Sequence, residues 1–421
     1  MREMKYSGIE WIGEVPKNKR IIRNKYLLEY IKGKLPTDTN FESAGFPYIG
    51  ATDLDSHEPC KTYTCDETLP DACDSDLLVL WDGARAGLCG THKVGKVSST
   101  IVRIREVDST IYRPFLYWYY KGFEDYMYQR VNGTTIPHMN RKYIEEIQMI
   151  DWTAQEQQHI SDYLDRKCSQ IDVIIAQQQE VIEKLKAYKL SVITETVTKG
   201  LNPNVPMKDS GVEWIGKIPE HWENRKMISI LSMRVVDGPH ESPELYDEGI
   251  PYISATAIEN GKINFHLMRG YISEEYCDIC DLRYKPQLHD ILVIKLGAST
   301  GQVAIVETTD RFNIWVPPAA VRCNEKADPY FVYYAFQSDY FLKQMEMSWT
   351  YGTQQTLGVK SIERLRIMLP MLEEQKEIAS YLKSKCDSID AAVKNKENLI
   401  DKLVDYKKSL IYEVVTGKRE V

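Results

Sequence analysis

Two kinds of polar cluster stand out among the residues able to do chemistry. Arg85 and Lys93 follow the turn Gly83-Ala84-Arg85-Ala86-Gly87. Lys295, Ser299, Thr300 and Gln302 surround the turn Gly297-Ala298-Ser299-Thr300-Gly301 at the matching place in the second half. Later in each half comes another cluster: Thr134, Thr135, His138, Asn140 and Arg141, then Thr353, Gln354, Gln355, Thr356 and Lys360. Glycine turns let a backbone approach phosphate, and hydroxyl, amide and basic groups bond phosphates or base edges. Asn and Gln pair in bidentate fashion with adenine, Arg and Lys with guanine. Taken singly, each residue also reads as a solvated loop position; as clusters at matching places they point to DNA.

Motifs for catalysis are missing. No Gly-x4-Gly-Lys-Ser/Thr loop is present, which argues against nucleotide hydrolysis by this chain. The strings nearest to an adenine-methyltransferase Asn/Asp-Pro-Pro-Tyr/Phe element are Val316-Pro317-Pro318-Ala319 and Asp328-Pro329-Tyr330-Phe331, and neither fits. Asp328-Pro329 instead predicts the start of an aromatic helix through Tyr334, matched by Pro114 to Tyr119, with its rings in the core. Cys277-x-x-Cys280 lacks a second ligand pair, and His57, Cys60, Cys65 and Cys73 follow no common zinc spacing, so no metal is expected. Eight histidines form no triad, while abundant carboxylates leave a nuclease cluster open.

The clusters must be positioned by a fold that is written twice. Tyr6-Ser7-Gly8-Ile9-Glu10-Trp11-Ile12-Gly13-Glu14-Val15-Pro16 returns as Asp209-Ser210-Gly211-Val212-Glu213-Trp214-Ile215-Gly216-Lys217-Ile218-Pro219. A closing block repeats without a gap: Gln157, Ile160, Tyr163, Leu164, Lys167, Cys168, Ile171 and Asp172 reappear as Gln375, Ile378, Tyr381, Leu382, Lys385, Cys386, Ile389 and Asp390. Such a long period means two domains rather than a solenoid of small repeats. The boundaries read 1–16 for the first box, 17–152 for one globular domain, 153–200 for a helical segment, 201–219 for the second box, 220–371 for the other domain and 372–421 for a second helical segment. Within the domains, 47–49, 77–80 and 99–104 look like strands. Pro47 to Thr52 pairs with Pro251 to Thr256, and Asp76-Leu77-Leu78-Val79-Leu80 pairs with Asp290-Ile291-Leu292-Val293-Ile294. Between these anchors the halves differ, either because they bind different targets or through drift after duplication.

The closing blocks predict helices of roughly 28 residues, about 42 Å long. Alternating three–four spacing gives a seam of Ile171, Ile174, Gln178, Val181, Leu185, Tyr188 and Val192. The second copy gives Ile389, Ala392, Lys396, Leu399, Leu403, Tyr406 and Leu410. The two seams can pair as an antiparallel intramolecular coiled coil, or each helix can pack on its own domain. Ser161-Asp162 and Ser169 mark a possible break that leaves a short helix first. A rod of this length suits two readers one turn of B-DNA apart, about 34–36 Å. Trp11 and Trp214 read as buried anchors at the domain–helix junctions.

Composition adds bounds. The 421 residues are 43% hydrophobic and 27% charged, as in a globular protein, with no long apolar run and no secretory leader expected. Nine cysteines without framework spacing suit a reducing cytoplasm. The net charge of −8 argues against binding nucleic acid by bulk attraction alone.

The paired Ser-Gly-x-Glu-Trp-Ile-Gly-x-x-Pro boxes, the Asp-Leu/Ile-Leu-Val strands leading to Gly-x-x-x-Gly, the Gly133-Thr134 and Gly352-Thr353 turns and the 369–378 helix entry together resemble the specificity subunit of a type I restriction–modification system. The first helix entry, Met149 to Gln157, departs from that pattern by lacking a proline. The resemblance spans essentially the whole chain. It implies an α+β protein with two similar target-recognition domains separated by two long helices in an antiparallel intramolecular coiled coil. Each domain would read one part of a split sequence in double-stranded DNA. The helices would dock two modification (methyltransferase) subunits, with restriction subunits adding translocation and cleavage. No cofactor is expected on this chain; S-adenosylmethionine, ATP and magnesium belong to the partners. A standalone nuclease or methyltransferase, and a protein-interaction tether, are the alternatives on the residues alone.

Overall fold

The computed structural model describes residues 3–56, 58–107, 110–130, 138–140, 144–145, 147–351 and 355–421. They form two compact units, Met1–Gln179 with Glu397–Val421, and Glu180–Lys396. Each unit holds one box, one globular domain and parts of both long helices.

The box is a hairpin shaped by its own residues. Met4–Tyr6 pairs antiparallel with Glu14–Pro16, and Met207–Asp209 with Lys217–Pro219. The Ser7 hydroxyl accepts from the Ile9 N–H at 3.1 Å, as Ser210 does from Val212. Gly8 and Gly13 lie in the left-handed region, as do Gly211 and Gly216, so the repeated Ser-Gly and Ile-Gly steps are demands of the turn.

In the first domain Leu28–Lys32, Ile101–Glu106, Leu77–Leu80 and Cys89–Gly90 form an antiparallel sheet in that spatial order. In the second, Val236–Asp237, Pro318–Val321, Ile291–Ile294 and Val303–Ile305 repeat the order. Both central strands are buried throughout, because alternate side chains enter two different cores. Leu77 and Val79 pack in a cluster with the aromatic helix Arg113–Lys121, whereas Leu78 and Leu80 pack with Ile49, Ala72 and Val97. Ile291 and Val293 split from Leu292 and Ile294 in the same way. Each domain has a second sheet around a parallel pair, Phe46–Ile49 with Gly95–Val97 and Ile250–Ile253 with Asn313–Ile314.

Two buried polar devices occur in both units. Asp76 and Asp290, each 1% exposed just before the central strand, accept both guanidinium arms of Arg105 and Arg322. Burial works to raise the Asp76 pKa, but the Arg105 bonds and the Cys73 N–H outweigh it and hold the carboxyl below its ordinary value. Gln157 and Gln375 are the second device. Gln157 Oε1 accepts from the Tyr112 N–H and its amide donates to Trp152 O; Gln375 Oε1 accepts from the Asp328 N–H and its amide donates to Pro370 O. Tyr112 and Asp328 are the N-caps of the aromatic helices Arg113–Lys121 and Pro329–Gln337. The glutamine therefore clamps each domain's aromatic helix to the start of a long helix, and those aromatics are core as expected.

The long helices run Ala154–Lys199 and Leu372–Val415, 46 and 44 residues, well beyond the expected 28. No break occurs at Ser161 or Ser169; the Ser161 hydroxyl donates to Gln157 O inside the helix. The helices pair antiparallel. In the first unit Lys407 meets Asp172 at 2.6 Å, and in the second Lys189 meets Asp390 at 2.6 Å. These are the same two repeat positions with roles exchanged, which only antiparallel partners of equivalent sequence can achieve.

Every second position of the seam needs a correction by one residue. Ile171, Ile389 and Leu410 are buried, and Gln178, Leu185, Val192, Ala392, Lys396 and Leu403 are half-buried. Ile174, Val181, Tyr188, Leu399 and Tyr406 are exposed, the two tyrosines at 48%. The helices instead cover Ile175, Ile182, Lys189 and Ile193, and Val393, Ile400, Lys407 and Ile411. A step of four after Ile171, rather than three, follows the helix's 3.6-residue turn, and it lets Lys189 and Lys407 reach their aspartates.

Candidate nucleic-acid interface

The Gly-rich turn and the late polar cluster are far apart in sequence, and each domain brings them together. After Leu77–Leu80 the chain folds back, with Gly87 N–H donating to Leu80 O at 2.8 Å; Gly301 N–H donates to Ile294 O at 2.8 Å in the second domain. Gly83, Gly87, Gly297 and Gly301 all have positive φ, which a side chain would strain. Beside the first turn, Asp82 bridges to His138 and the Met139 N–H donates to Trp81 O. Beside the second, Leu296 bridges to Thr356 and the Leu357 N–H donates to Lys295 O.

A third loop closes on both sites. Gly33 and Gly238 follow the edge strands and press against backbone, where a Cβ would come within 2.1 Å of Ser98 O and 2.5 Å of Ile314 O. Strand register places Lys32 opposite Val102 and Asp237 opposite Ala319, so Lys32 and Asp237 occupy matched positions, as do Trp81 and Lys295. The chemistry at these positions is exchanged. Lys32 lies over the Trp81 ring and pairs with Asp82 at 3.0 Å. Asp237 pairs with Lys295 at 3.0 Å and also takes Arg283 and His240. Burial works to raise the Asp237 pKa, but hydrogen bonds from Lys295 and His240 outweigh it and the carboxyl sits below its ordinary value.

The predicted residues fare differently. Lys295 is buried and committed to Asp237, so it is a structural cation and does not face solvent. Arg85 is exposed but holds Asp55 and Ala51 O, and the half-buried Lys93 donates to Ser56 O; both tie down the 51–56 loop. Thr300 donates its hydroxyl to Gly297 O within the turn, and Ser299 is half-buried beside it. His138 lies at the surface with Nδ1 2.6 Å from Asp82. Asn140, Gln302 and Lys360 are exposed, and Gln355 is half-buried with its carbonyl taken by the Gly297 N–H. Thr134, Thr135, Arg141, Thr353, Gln354 and His57 lie outside the described residues.

Sequence reasoning missed Lys32 and Lys34, both exposed on the edge loop, and Arg269, stacked 3.7 Å above the Trp315 ring. The Lys32-Gly33-Lys34 string, matched by Asp237-Gly238-Pro239, was the signal for the first two. Among the described residues no three His, Cys, Asp or Glu side chains group as a metal site. Cys277 and Cys280 are buried, and burial pushes the Cys277 thiol up to about 11, away from a thiolate ligand.

Two domains of one strand order, each with a glycine turn, a late polar loop and an edge loop converging, match the model of the type I restriction modification DNA specificity domain at residues 16–184 and again at 219–402. The chain belongs to this family. Its members are non-catalytic DNA-specificity subunits of type I restriction–modification systems, and the sequence-specific DNA recognition of such a system is this chain's work. The specificity subunit is 28% identical over 383 residues to the type I restriction enzyme MjaVIII specificity subunit of Methanocaldococcus jannaschii, covering 88% of this chain and 86% of the relative. It is 23% identical over 328 residues to the EcoBI specificity subunit of Escherichia coli, covering 76% and 69%. A chain from a solved structure of type I R-M complex assembly and conformational transition shares the fold, with a TM-score of 0.69, 14% identity and coverage of 95% and 98%.

Proposed function

We propose that the specificity subunit reads a bipartite, asymmetric sequence in double-stranded DNA, one half-site per domain. The observation that carries this reading is the exchange of chemistry at matched loops. The first domain offers Lys32, Lys34, Asp82 and His138, while the second offers Gln302, Lys360 and Arg269 on Trp315 and hides its lysine beneath Asp237. Unlike side chains on one skeleton recognise unlike base edges. The antiparallel helices set the spacing between half-sites.

The exposed apolar positions of the long helices support partner docking. Leu399 and Tyr406 in the first unit and Val181 and Tyr188 in the second are equivalent residues of the repeat. One such patch per unit suits two copies of one partner, the modification subunit, which brings S-adenosylmethionine and methylates adenine. Restriction subunits with ATP and magnesium act on the same complex. Partners that clamp the duplex also explain how a chain of net charge −8 serves DNA. No helix among the described residues is long and apolar enough to cross a membrane. A complex that acts on the cell's DNA would work in the cytoplasm, where that DNA is.

The test is to replace residues 220–371 with the corresponding domain of a relative and to map methylated adenines in a host that carries the partner. One half-site should change. A change in both would refute modular reading.

A further inference from the structure

The two boxes are near-copies, yet their tryptophans meet different surroundings. In the first unit Trp11 packs against the ring of Phe123 at 4.3 Å and that of Tyr126 at 4.8 Å, and the Tyr412 hydroxyl donates to its carbonyl. The glutamine-clamped helix caps put Phe123 in register with Asp339 and Tyr126 with Leu342, and the closing repeat puts Tyr412 in register with Thr194. The equivalence is physical as well, since Tyr412 meets Phe123 in one unit and Thr194 accepts from the Asp339 N–H in the other. All three aromatic neighbours are thus absent from the second copy. Trp214 is 41% exposed and, among the described residues, stacks on no ring.

Beside the uncovered indole lies a cleft of about 510 Å³ walled by Trp214, Glu213, Gln344, Met347, Arg364 and Arg366. That volume is within the range of sites that accept side chains or small ligands. Among the described residues neither Arg364 nor Arg366 meets a carboxylate, and both are exposed beside the indole. In the first unit the rings of Phe123 and Tyr126 cover the matching indole, while Glu124 is taken by the Cys89 N–H and Lys121, and Asp125 by Lys408. In the second unit the exposed cations beside the indole are Arg364 and Arg366.

We infer that the Trp214 cleft is a docking site for a partner protein segment that carries an aromatic ring beside carboxylates. The ring takes the place of Phe123 against the indole, and the acids face Arg364 and Arg366, a pairing in which a planar guanidinium and an aromatic anchor supply most of the affinity. Because the indole of the first box is covered by its own chain, this site belongs, among the described residues, to the second unit alone. A partner binding there is held once per chain, unlike partners that use the duplicated helix patches. The inference rests on the unequal boxes and does not depend on how the domains read DNA.

The experiment uses the full chain and a fluorescent peptide of its own sequence 122–128, Gly-Phe-Glu-Asp-Tyr-Met-Tyr, followed by polarisation. Saturable binding is expected, weakened about tenfold or more by Trp214→Ala and by Arg364→Glu. A peptide with lysines for Glu124 and Asp125 should lose binding to a similar extent. Arg364→Glu alters an exposed residue and keeps the test valid if Trp214→Ala disturbs the box hairpin. No saturation up to about 1 mM, binding indifferent to both substitutions, or displacement of the peptide by duplex DNA would overturn the inference. Altered half-site specificity, by contrast, bears only on the reading of DNA.

Discussion

By sequence, Lys295 and Lys360 are equal candidates for touching DNA, and their surroundings predict opposite behaviour. Lys295→Gln removes one of the two cations, Lys295 and Arg283, that share the buried Asp237 carboxylate with the His240 ring. Breaking a buried pair by deleting one partner costs about 3–5 kcal/mol when the remaining charge is left alone. Arg283 and His240 remain here, so a loss of about 2 kcal/mol is expected, within the range that a domain of ordinary stability tolerates. The Asp237 carboxyl titrates below its ordinary value, so the stability it contributes is present above the unfolded carboxylate pKa and lost as pH falls through the folded one. The penalty of Lys295→Gln should therefore shrink in acid. Lys360→Gln should leave the urea midpoint unchanged, because its ammonium is in solvent. It should flatten the dependence of log K on log salt by about 0.9, the slope carried by a single neutralised phosphate. The assays are urea unfolding and anisotropy titration of a target duplex across a salt series. If Lys295→Gln flattens the salt slope while stability holds, the burial argument is wrong and Lys295 touches phosphate.

Three further outcomes are expected. Gln375→Met strips the Asp328 N–H and the Pro370 and Lys326 carbonyls of a buried partner, and should cost about 3 kcal/mol by urea unfolding, with Gln157→Met similar; a loss under about 1 kcal/mol would show that the clamp is dispensable. Gly33→Ala forces a Cβ to within 2.1 Å of a backbone oxygen and should largely abolish folding, whereas Gly211→Ala meets open space and bears only its positive φ, about 1–2 kcal/mol; equal effects in thermal melts would contradict this. The Asp66 pKa is lowered to about 2, chiefly by the Thr68 hydroxyl and then by the Thr37 and Thr68 N–H groups, so its contribution is complete above the ordinary carboxylate pKa of about 4 and falls away as pH drops toward 2. Asp66→Asn should reduce the pH dependence of unfolding in that window, and an unchanged profile would remove Asp66 from the account.

Much of the architecture is legible because it is local. Leu77–Leu80 and Ile291–Ile294 are apolar at every position and form central strands, and the Asp328-Pro329 step caps its helix as expected. The long helices are recognisable by period, but periodicity alone places every second position of their seam one residue early. Three–four spacing cannot tell Ile174 from Ile175 until the partner helix and the Asp172–Lys407 pair choose between them. The candidate site is legible as two loops per domain but not as individual contacts. Arg85, Lys93 and Lys295 all find partners within their own domain, and composition cannot separate a cation that braces a loop from one that faces a phosphate.

By itself, the sequence established that one plan is written twice, that box, strand, glycine turn and long helix recur in order, and that the chain resembles a type I specificity subunit. Those features reside in local turn chemistry and short-range periodicity, which neighbouring residues impose on one another. Only tertiary structure decided that the Gly83 and Gly297 turns meet the late loops, that Lys295 is buried beneath Asp237, and that Trp11 is half-buried against aromatic rings while its copy Trp214 is exposed. Each of these depends on residues tens to hundreds of positions away. Two near-identical boxes therefore acquire different surfaces, since exposure is set by what packs against a side chain and not by the side chain itself.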